Sequence, residues 1–377
     1  MNNVVIVLYF LMLFFNTICM LCRRKSKIVL ILTYALLMFL FINNLEYGDA
    51  RTYRRDFEVL ERDSWEPGYI FLRMLAKSIG ITKYQGFLVF LFLVSSVFLM
   101  IGFRSLRVDL HIVYFLGMFF ICPWLFVIIR FFIGFAIAVF AMRFFYQRKY
   151  IQYAVWIIIS VFFHKSMVVF LLAFFIKMPY KALLAKKDKI WKVIISLIVA
   201  ASLFVLIDTF VKKQFLFSEV LLNAFAMISA SVAERASIYM SRITQWGAVP
   251  VLMVYAANCW FAFLMKKEMS DKKYVVVLGE NEVNRVNKFT EIAWRISLIF
   301  VVFLPLDVLN VNFGRFNIVP TMFNVVAFSQ LTNLNKRRFR KVLVGFWGLV
   351  VCWAIMGWIN FDINIFDYVN MCGLFPK

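Results

Sequence analysis

The sequence is poor in charged residues and lacks the motifs of several enzyme and transporter classes. Asp, Glu, Lys and Arg make up only 16% of its 377 residues, whereas soluble domains carry about 25%. It contains no Gly-Lys-Ser/Thr phosphate loop, no His-Glu-x-x-His pair and no nucleophile elbow. These absences disfavour ATP-driven transport, and they give no support to zinc-dependent or serine-based hydrolysis.

Metal-binding residues are also scarce. The chain has two histidines, and its six cysteines lie mostly within or beside apolar runs. We therefore interpret the cysteines as small apolar packing residues. No cluster of metal ligands is evident, so the sequence predicts neither a metal site nor another cofactor.

Long apolar runs dominate instead. Apolar residues form 64% of the chain, including 46 Phe, and no soluble core of this length buries so much apolar surface. Because a backbone inside hydrocarbon must satisfy its own hydrogen bonds, such runs predict membrane-spanning helices. The sequence therefore predicts an all-α polytopic protein, with a single transmembrane domain over residues 1–377. About twelve spans are expected, near residues 3–22, 28–45, 85–102, 110–122, 124–142, 151–163, 166–178, 190–211, 246–265, 289–306, 316–332 and 342–359.

The net charge of +22 does not indicate nucleic-acid binding, because the basic residues form short clusters between apolar runs. Such clusters mark cytoplasmic loops by the positive-inside rule. The strongest clusters, at residues 23–27, 177–192 and 335–341, predict that both termini lie outside. Residues 46–84 and 212–245 then form two long outer loops, and loops longer than a connection needs are candidate sites.

The first outer loop combines acids, arginines and aromatic residues, a mixture that suits sugar binding. Carboxylates and Arg hydrogen-bond sugar hydroxyls, and aromatic rings stack on the apolar faces of the sugar ring. The candidate residues are Asp49, Arg51, Tyr53, Glu66 and Tyr69. The alternative is a solvated loop with a turn at residues 66–68, in which Glu66 caps a helix that begins near Tyr69.

Arg130 is a lone charge in the apolar run at residues 124–132. A central Arg costs about 2.5–3.5 kcal/mol on insertion scales, so it usually faces a polar cavity or an anion. Its planar fork of donors suits phosphate oxygens. The alternative is an arginine that snorkels to the interface. Arg235 and Arg242 in the second outer loop, and Arg315 at a predicted outer helix start, are further candidates for the same anion site.

His164 follows an apolar helix at its predicted outer end. An imidazole exchanges protons near neutral pH, which suits activation of a sugar hydroxyl. The alternative is a structural histidine bonded to a backbone carbonyl. We interpret His111, at the start of an inner span, as structural. Asp49, Glu66 and His164 are predicted to converge on one outward pocket.

The order of these residues resembles the EpsG family, which belongs among the Wzy-type polymerases of bacterial surface polysaccharides. The resemblance covers roughly residues 40–175, and the C-terminal half resembles the family in topology and in Arg315. One departure is Phe131, where family members often carry a polar residue. The matching residues are Gly48-Asp49 with Tyr53 and Phe57, Glu66-Pro67-Gly68-Tyr69 before a helix, Ile129-Arg130 in an apolar run, and His164 with Ser166 after one.

The resemblance implies a membrane glycosyltransferase of GT-C-like helical architecture in the bacterial plasma membrane. Such an enzyme transfers a growing glycan from polyprenyl diphosphate to the non-reducing sugar of a lipid-linked repeat unit at the outer face. Its product would be an O-antigen, a capsule or an exopolysaccharide. The implied partners are polyprenyl-diphosphate-linked oligosaccharide, the lipid bilayer, a flippase and a chain-length regulator. Catalysis would rest on His164, Asp49 and Glu66, and diphosphate binding on Arg130 with Arg315 or Arg235.

Two other functions fit the pattern less well. A lipid-linked oligosaccharide flippase or another secondary transporter would also place an Arg in an anionic cavity, but transporters often show two related halves, and none is evident in the sequence. A membrane acyltransferase would favour an intramembrane histidine with a cytoplasmic donor site, whereas His164 is predicted on the outer side.

Overall fold

The computed structural model describes residues 2–45, 49–59, 66–118, 128–177, 248–269, 280–301, 316–331 and 336–361. Within these ranges the regular elements are helices and there is no strand, which confirms the all-α prediction there. A 3₁₀ helix covers Lys165–Lys177. The α-helices are α1 (Asn2–Cys22), α2 (Lys27–Ile42), α3 (Ala50–Val59), α4 (Pro67–Ser78), α5 (Tyr84–Ser105), α6 (Leu110–Leu116), α7 (Ile129–Tyr146), α8 (Tyr150–Val161), α9 (Ala248–Met269), α10 (Glu280–Phe300), α11 (Ile318–Gln330) and α12 (Lys336–Phe361).

Five segments of these helices are long and apolar enough to cross a membrane, so the chain is a multi-pass membrane protein. They are Val4–Cys22, Tyr84–Ser105, Ile129–Tyr146, Val249–Met269 and Phe339–Met356. Shorter apolar helices of 10–17 residues accompany them at Lys27–Ile42, Tyr150–Val161, Lys165–Phe174 and Ile318–Gln330. The predicted span at 190–211 and the predicted outer loop at 212–245 lie outside the described residues.

Two of the predicted spans take a different form. The span predicted at 110–122 begins with α6, which ends at Leu116. The span predicted at 166–178 is the 3₁₀ helix of 13 residues. A 3₁₀ helix rises about 2.0 Å per residue against 1.5 Å for an α-helix, so this segment reaches about 26 Å. The same 13 residues would reach about 20 Å as an α-helix, so the tighter winding lengthens the segment.

The described helices group into two compact units, which divide between Leu171 and Leu172. In the first unit α7 is the central helix. It packs against α5 and α8, and its residues from Phe131 to Met142 are all buried. A helix that is apolar on every face belongs inside a bundle. Arg130, in the first turn of α7, is therefore surrounded by protein.

In the second unit, α9 packs against α10 and α12, and α10 packs against α11. Buried polar residues connect these helices. Asn324 Nδ2 donates to Asn258 Oδ1 at 2.9 Å and to Ser297 Oγ at 3.3 Å. Trp353 Nε1 donates to Thr321 Oγ1 at 2.9 Å. Between membrane helices each such bond contributes about 0.6 kcal/mol on average, so this cluster helps to hold α9, α10, α11 and α12 together.

We expect Thr321→Val to destabilise the protein more than Thr290→Val does. Both threonines are buried, but Thr321 contacts Trp353 of α12 and Asn258 of α9, whereas Thr290 bonds Asn287 O of its own helix at 3.1 Å. Removing the Thr321 hydroxyl leaves buried polar partners unpaired and costs about 1–3 kcal/mol. The matched Thr290→Val change costs about 0.5 kcal/mol. Thermal unfolding in one detergent compares the two variants, and equal losses would contradict the expectation.

Candidate functional site

Two short helices occupy the first predicted outer loop. The apolar faces of α3 and α4 lie on α5. Phe57 stacks on Phe87 with ring centroids 4.6 Å apart, and Tyr69 meets Phe87 edge-on at 5.9 Å. These two helices, which we call the α3–α4 pair, are therefore held in place by aromatic contacts with a membrane helix.

A buried ion pair joins α3 to α4. Arg73 Nη1 lies 2.7 Å from Asp56 Oδ2, and the two side chains are 3% and 0% exposed. Asp56 lies on the buried face of α3 with Tyr53 and Phe57, so the face that packs on α5 also directs the carboxylate inward. Removing one partner of such a pair leaves an uncompensated buried charge, at a cost of about 3–5 kcal/mol. The ion pair therefore fixes α3 against α4.

Arg130 contacts one residue of α3 and the residue that immediately precedes α4. Its Nη1 forms an ion pair with the Glu66 carboxylate, which immediately precedes α4. Its Nε donates to the hydroxyl of Tyr53 on α3 at 3.2 Å, and its Cζ lies 5.5 Å from the centre of the Tyr53 ring. The Arg130 and Glu66 side chains are 15% and 10% exposed. The guanidinium is thus directed to protein partners, in contrast to the snorkelling alternative.

The alternative role of Glu66 as a helix cap is confirmed in its position but not in a side-chain hydrogen bond. The following helix begins at Pro67, not near Tyr69, and Glu66 occupies the N-cap position without any capping hydrogen bond from its side chain. Proline at the first helical position has no N–H to satisfy and has its φ preset for a helix. The carboxylate instead binds Arg130.

His164 lies between α8 and the 3₁₀ helix, where Ser166 holds its ring. Its Nδ1 lies 2.6 Å from Ser166 Oγ and accepts the Ser166 backbone N–H at 3.3 Å. With Nδ1 as the acceptor, the neutral imidazole carries its proton on Nε2. In the other tautomer Nδ1 donates to Ser166 Oγ, and Nε2 is the unprotonated nitrogen. These bonds to Ser166 differ from the backbone carbonyl contact that the structural alternative predicted.

The start of α4 packs closely on the end of α8. Gly68 N donates to Phe162 O at 2.8 Å. A Cβ at Gly68 would lie 2.9 Å from that oxygen and 3.0 Å from a ring carbon of Phe163, so only glycine fits there. The contact joins a residue two positions after Glu66 to a residue two positions before His164.

The start of α7 packs on the His164 segment from the other side. The His164 ring meets Phe131 edge-to-face, with ring centroids 5.2 Å apart. A Cβ at Gly134 would lie 3.2 Å from Ser160 O and 3.5 Å from His164 Cβ. The structure therefore brings together the backbone segments that carry Glu66, Arg130 and His164, and a common pocket for their side chains stays a prediction.

We expect Gly68→Ala to disturb the site without touching any charged residue. The added methyl group meets the Phe162 carbonyl, and such overpacking costs about 1–3 kcal/mol. The matched Gly86→Ala change, where a Cβ meets only a side-chain methyl of Ile81 at 3.1 Å, is expected to be milder. Thermal unfolding in one detergent is measured for both variants. Equal effects of the two changes would argue against a special role for the Gly68 contact.

The other candidates of the first loop occupy different environments. Asp49 and Arg51 are exposed at the start of α3, and Asp49 O accepts Tyr53 N at 3.1 Å. Tyr69 is fully buried between the rings of Tyr53 and Phe87, and burial raises the pKa of its phenol well above the usual range. Tyr69 is therefore packed among aromatic rings in this structure, and its contact with substrate stays a prediction.

Of the remaining candidates, one histidine lies within the described residues and three arginines do not. His111 is structural, as predicted, because Ser26 N donates to its Nε2 at 3.1 Å and Asn16 Oδ1 lies 2.9 Å from its Nδ1. Three further arginines predicted to bind substrate lie outside the described residues, namely Arg235, Arg242 and Arg315.

Sequence reasoning missed the Asp56–Arg73 pair and the close approach at Gly68. A signal for the pair was present, because Tyr53, Asp56 and Phe57 recur at the spacing of one helix face. An acid on an otherwise aromatic helix face indicates a buried partner. No comparable signal identifies Gly68, whose role depends on the distant chain segment at Phe162.

Helices long enough to cross a membrane, together with a part-buried Arg–Glu–Tyr cluster beside a histidine, define a multi-pass membrane protein with a polar site among its helices. The model of the EpsG family matches residues 27–370. The chain therefore belongs to the EpsG family, a family of Wzy-like polysaccharide polymerases. No curated protein and no solved structure matches it.

Proposed function

We propose that this protein is a polymerase that joins polyprenyl-diphosphate-linked oligosaccharide repeat units into a surface polysaccharide at the outer face of the bacterial plasma membrane. The observation that supports the proposal is the Arg130–Glu66–Tyr53 cluster together with Phe131, the residue after Arg130, whose ring meets His164. A guanidinium suits a diphosphate, and an imidazole suits proton transfer.

Arg130 is the proposed diphosphate ligand. Before substrate binds, Glu66 and Tyr53 hold the guanidinium in one orientation, so little reorganisation is needed when phosphate oxygens arrive. Negative charge grows on the diphosphate as its bond to the sugar breaks. A preorganised cation near that charge stabilises the transition state more than the ground state. Arg235, Arg242 and Arg315 are proposed as further ligands of the same diphosphate.

His164 is the proposed acceptor of the proton from the attacking hydroxyl. The hydroxyl oxygen of the acceptor sugar bonds to the anomeric carbon of the growing glycan, the bond from that carbon to the diphosphate breaks, and polyprenyl diphosphate leaves. Nε2 takes up the proton when the ring carries its other proton on Nδ1, and Ser166 Oγ, 2.6 Å away, accepts that proton in a hydrogen bond. Asp49, Glu66 and Arg51 are proposed to orient sugar hydroxyls.

The finer architecture belongs to the same proposal. It comprises about twelve spans in one GT-C-like membrane domain, with both termini outside, and catalysis without a bound cofactor. A flippase that delivers the repeat units and a chain-length regulator are the proposed protein partners. The polyprenyl tail is proposed to lie in a groove between Phe-rich helices.

Reconstitution tests the proposed reaction directly. Purified protein in liposomes is given lipid-linked repeat units, and the glycans and released polyprenyl diphosphate are measured together. Longer glycans with an equal release of polyprenyl diphosphate are expected. Transfer of the substrate across the bilayer without any new glycosidic bond would overturn the proposal in favour of a flippase.

We expect cysteine labelling to place the α3–α4 pair outside. Thr82 and Gln147 are both exposed and lie near opposite ends of helices in the first unit. In a cysteine-free background, an impermeant maleimide applied to intact cells should label Thr82→Cys and should label Gln147→Cys only after the membrane is opened. The reverse pattern would contradict the predicted orientation.

A further inference from the structure

Four helices in the first unit end in the same type of turn, with one residue in the left-handed backbone conformation. These residues are Arg23 (φ 54°) after α1, Arg107 (φ 54°) after α5, Arg148 (φ 64°) after α7 and Gly80 (φ 88°) after α4. In each turn the N–H of that residue bonds the carbonyl three positions back, and the next N–H bonds the carbonyl five positions before itself. This is the Schellman pattern, which usually uses glycine.

Two of the arginine turns lie at one face because α5 and α7 run parallel. Phe92 stacks near Phe132 with centroids 6.2 Å apart, and six residues later Phe98 meets Phe140 at 5.3 Å. Contacts that advance in the same order along both helices require the same direction. Both helices therefore end at one face, which we call the turn face.

The turn after α1 lies at the same face. Asn16 of α1 contacts His111 near the start of α6, and Tyr9 of α1 contacts the backbone at Met118 beyond its end. The two helices are therefore antiparallel, and α1 ends where α6 begins, just after Arg107. A hydrogen bond from Ser26 N to His111 Nε2 joins the segments that follow the two turns. Gly80 precedes α5 and lies at the opposite end of that helix.

Arginine is an unfavourable residue for the left-handed backbone conformation of these turns. Glycine adopts the left-handed conformation without a Cβ clash, whereas other residues are strained there. A cation also interacts favourably with the C-terminus of any helix, but that argument applies equally to α4, whose turn uses Gly80. The three arginines therefore indicate that positive charge is needed at this face in particular.

The neighbours of Arg23 and Arg107 indicate which negatively charged group these arginines contact. Leu21, Met100 and Ile101 are 48%, 46% and 40% exposed, and they lie up to about two helical turns before Arg23 and Arg107. Exposed apolar side chains on membrane helices face lipid tails, so the residues just beyond them lie at headgroup depth, where arginine meets lipid phosphate.

We propose that Arg23, Arg107 and Arg148 bind the phosphates of anionic phospholipids at the turn face. Arg107 and Arg148 are exposed and Arg23 is half-buried. Each guanidinium attracts a phosphate by its own charge, which outweighs the partial negative charge at the C-terminus of its helix. With the predicted orientation, this face belongs to the cytoplasmic leaflet. The site is separate from the proposed diphosphate site at Arg130, and either proposal can fail without the other.

Glycine substitution separates charge from conformation. The triple variant Arg23→Gly, Arg107→Gly and Arg148→Gly keeps the turns and removes three charges. A control triple variant, Arg24→Gln, Arg104→Gln and Lys149→Gln, removes three exposed charges beside the same turns. The full-length proteins are purified in neutral detergent, and their thermal midpoints are measured with phosphatidylglycerol, phosphatidylcholine or inorganic phosphate added. Native mass spectrometry of each single Arg→Gly variant gives a second measurement of bound lipid.

Phosphatidylglycerol is expected to raise the midpoint of the unaltered protein more than phosphatidylcholine does, with no rise from inorganic phosphate. The glycine triple variant should lose most of that rise and remain at least as stable in lipid-free detergent, while the control should keep most of it. Equal losses in both triple variants would indicate nonspecific attraction and overturn the site. An undiminished rise in the glycine variant, a lower stability without lipid, or a rise with inorganic phosphate alone would also overturn it. If the triple variant fails to fold, unchanged phosphatidylglycerol binding by all three single variants would overturn the site as well.

Discussion

Arg130→Ala is expected to reduce polymer synthesis by about 10²–10³-fold, the usual cost of removing one preorganised donor from a transition state. The loss follows from the position of Arg130, whose guanidinium is held by Glu66 and Tyr53 at the start of a buried helix. Arg130→Lys should also be poor, because an ammonium keeps the charge but lacks the planar fork. Lipid-linked glycan ladders from cells that express each variant measure the effect.

A matched control lies on the same helix. Arg143 is near the other end of α7, where its Cζ lies 3.8 Å from the centre of the Phe140 ring. Arg143→Ala removes the same side chain and should leave the glycan ladder near normal. Because Arg130→Ala leaves the Glu66 carboxylate without its partner, membrane levels of each variant are compared by immunoblot. A normal ladder from Arg130→Ala at equal protein levels would remove the diphosphate role.

His164→Ala should lower polymerisation by about 10²–10⁴-fold, the range for loss of a positioned acid–base group. Cells should then accumulate single repeat units on lipid. Ser166→Ala should have a smaller effect in the same direction, because Ser166 orients the ring through Nδ1 and leaves the reacting nitrogen in place. The rate of repeat-unit transfer by purified protein in liposomes is the measurement.

His111, the other histidine of the chain, provides a control for His164. His111 links Ser26 and Asn16, so His111→Gln should lower the thermal midpoint with little change in transfer rate per folded molecule. His164→Ala should show the opposite pattern, with a nearly unchanged midpoint and a lost rate. If both variants lose stability and rate in equal proportion, His164 would be a structural residue.

The sequence is sufficient to predict an all-helical membrane protein and to single out Arg130 as a candidate site residue. Arg130 stands out because an isolated charge in an apolar run is costly, and that argument needs no knowledge of its neighbours. The apolar residues that follow Arg130 likewise predict that α7 is buried on all sides. His111 was recognised as structural from its place at a helix start, and the structure agrees.

The partners of Arg130 could not be predicted in the same way. Glu66 is 64 positions and Tyr53 77 positions away along the chain, and their approach depends on how the α3–α4 pair packs on α5. The 3₁₀ winding at Lys165–Lys177 was likewise hidden, because its apolar composition is equally compatible with an α-helix. Local pattern thus identified the charge, and long-range packing determined its partners.

The order of Glu66 and Arg130 along the chain bears on how the protein enters the membrane during its synthesis. The ribosome makes α3 and α4 before α7, so the carboxylate exists when the guanidinium reaches the translocon. An arginine without a partner would add about 2.5–3.5 kcal/mol to the insertion of its helix. Because Glu66 is made first and pairs with Arg130 in the folded protein, we expect it to lower this cost and to assist the insertion of α7.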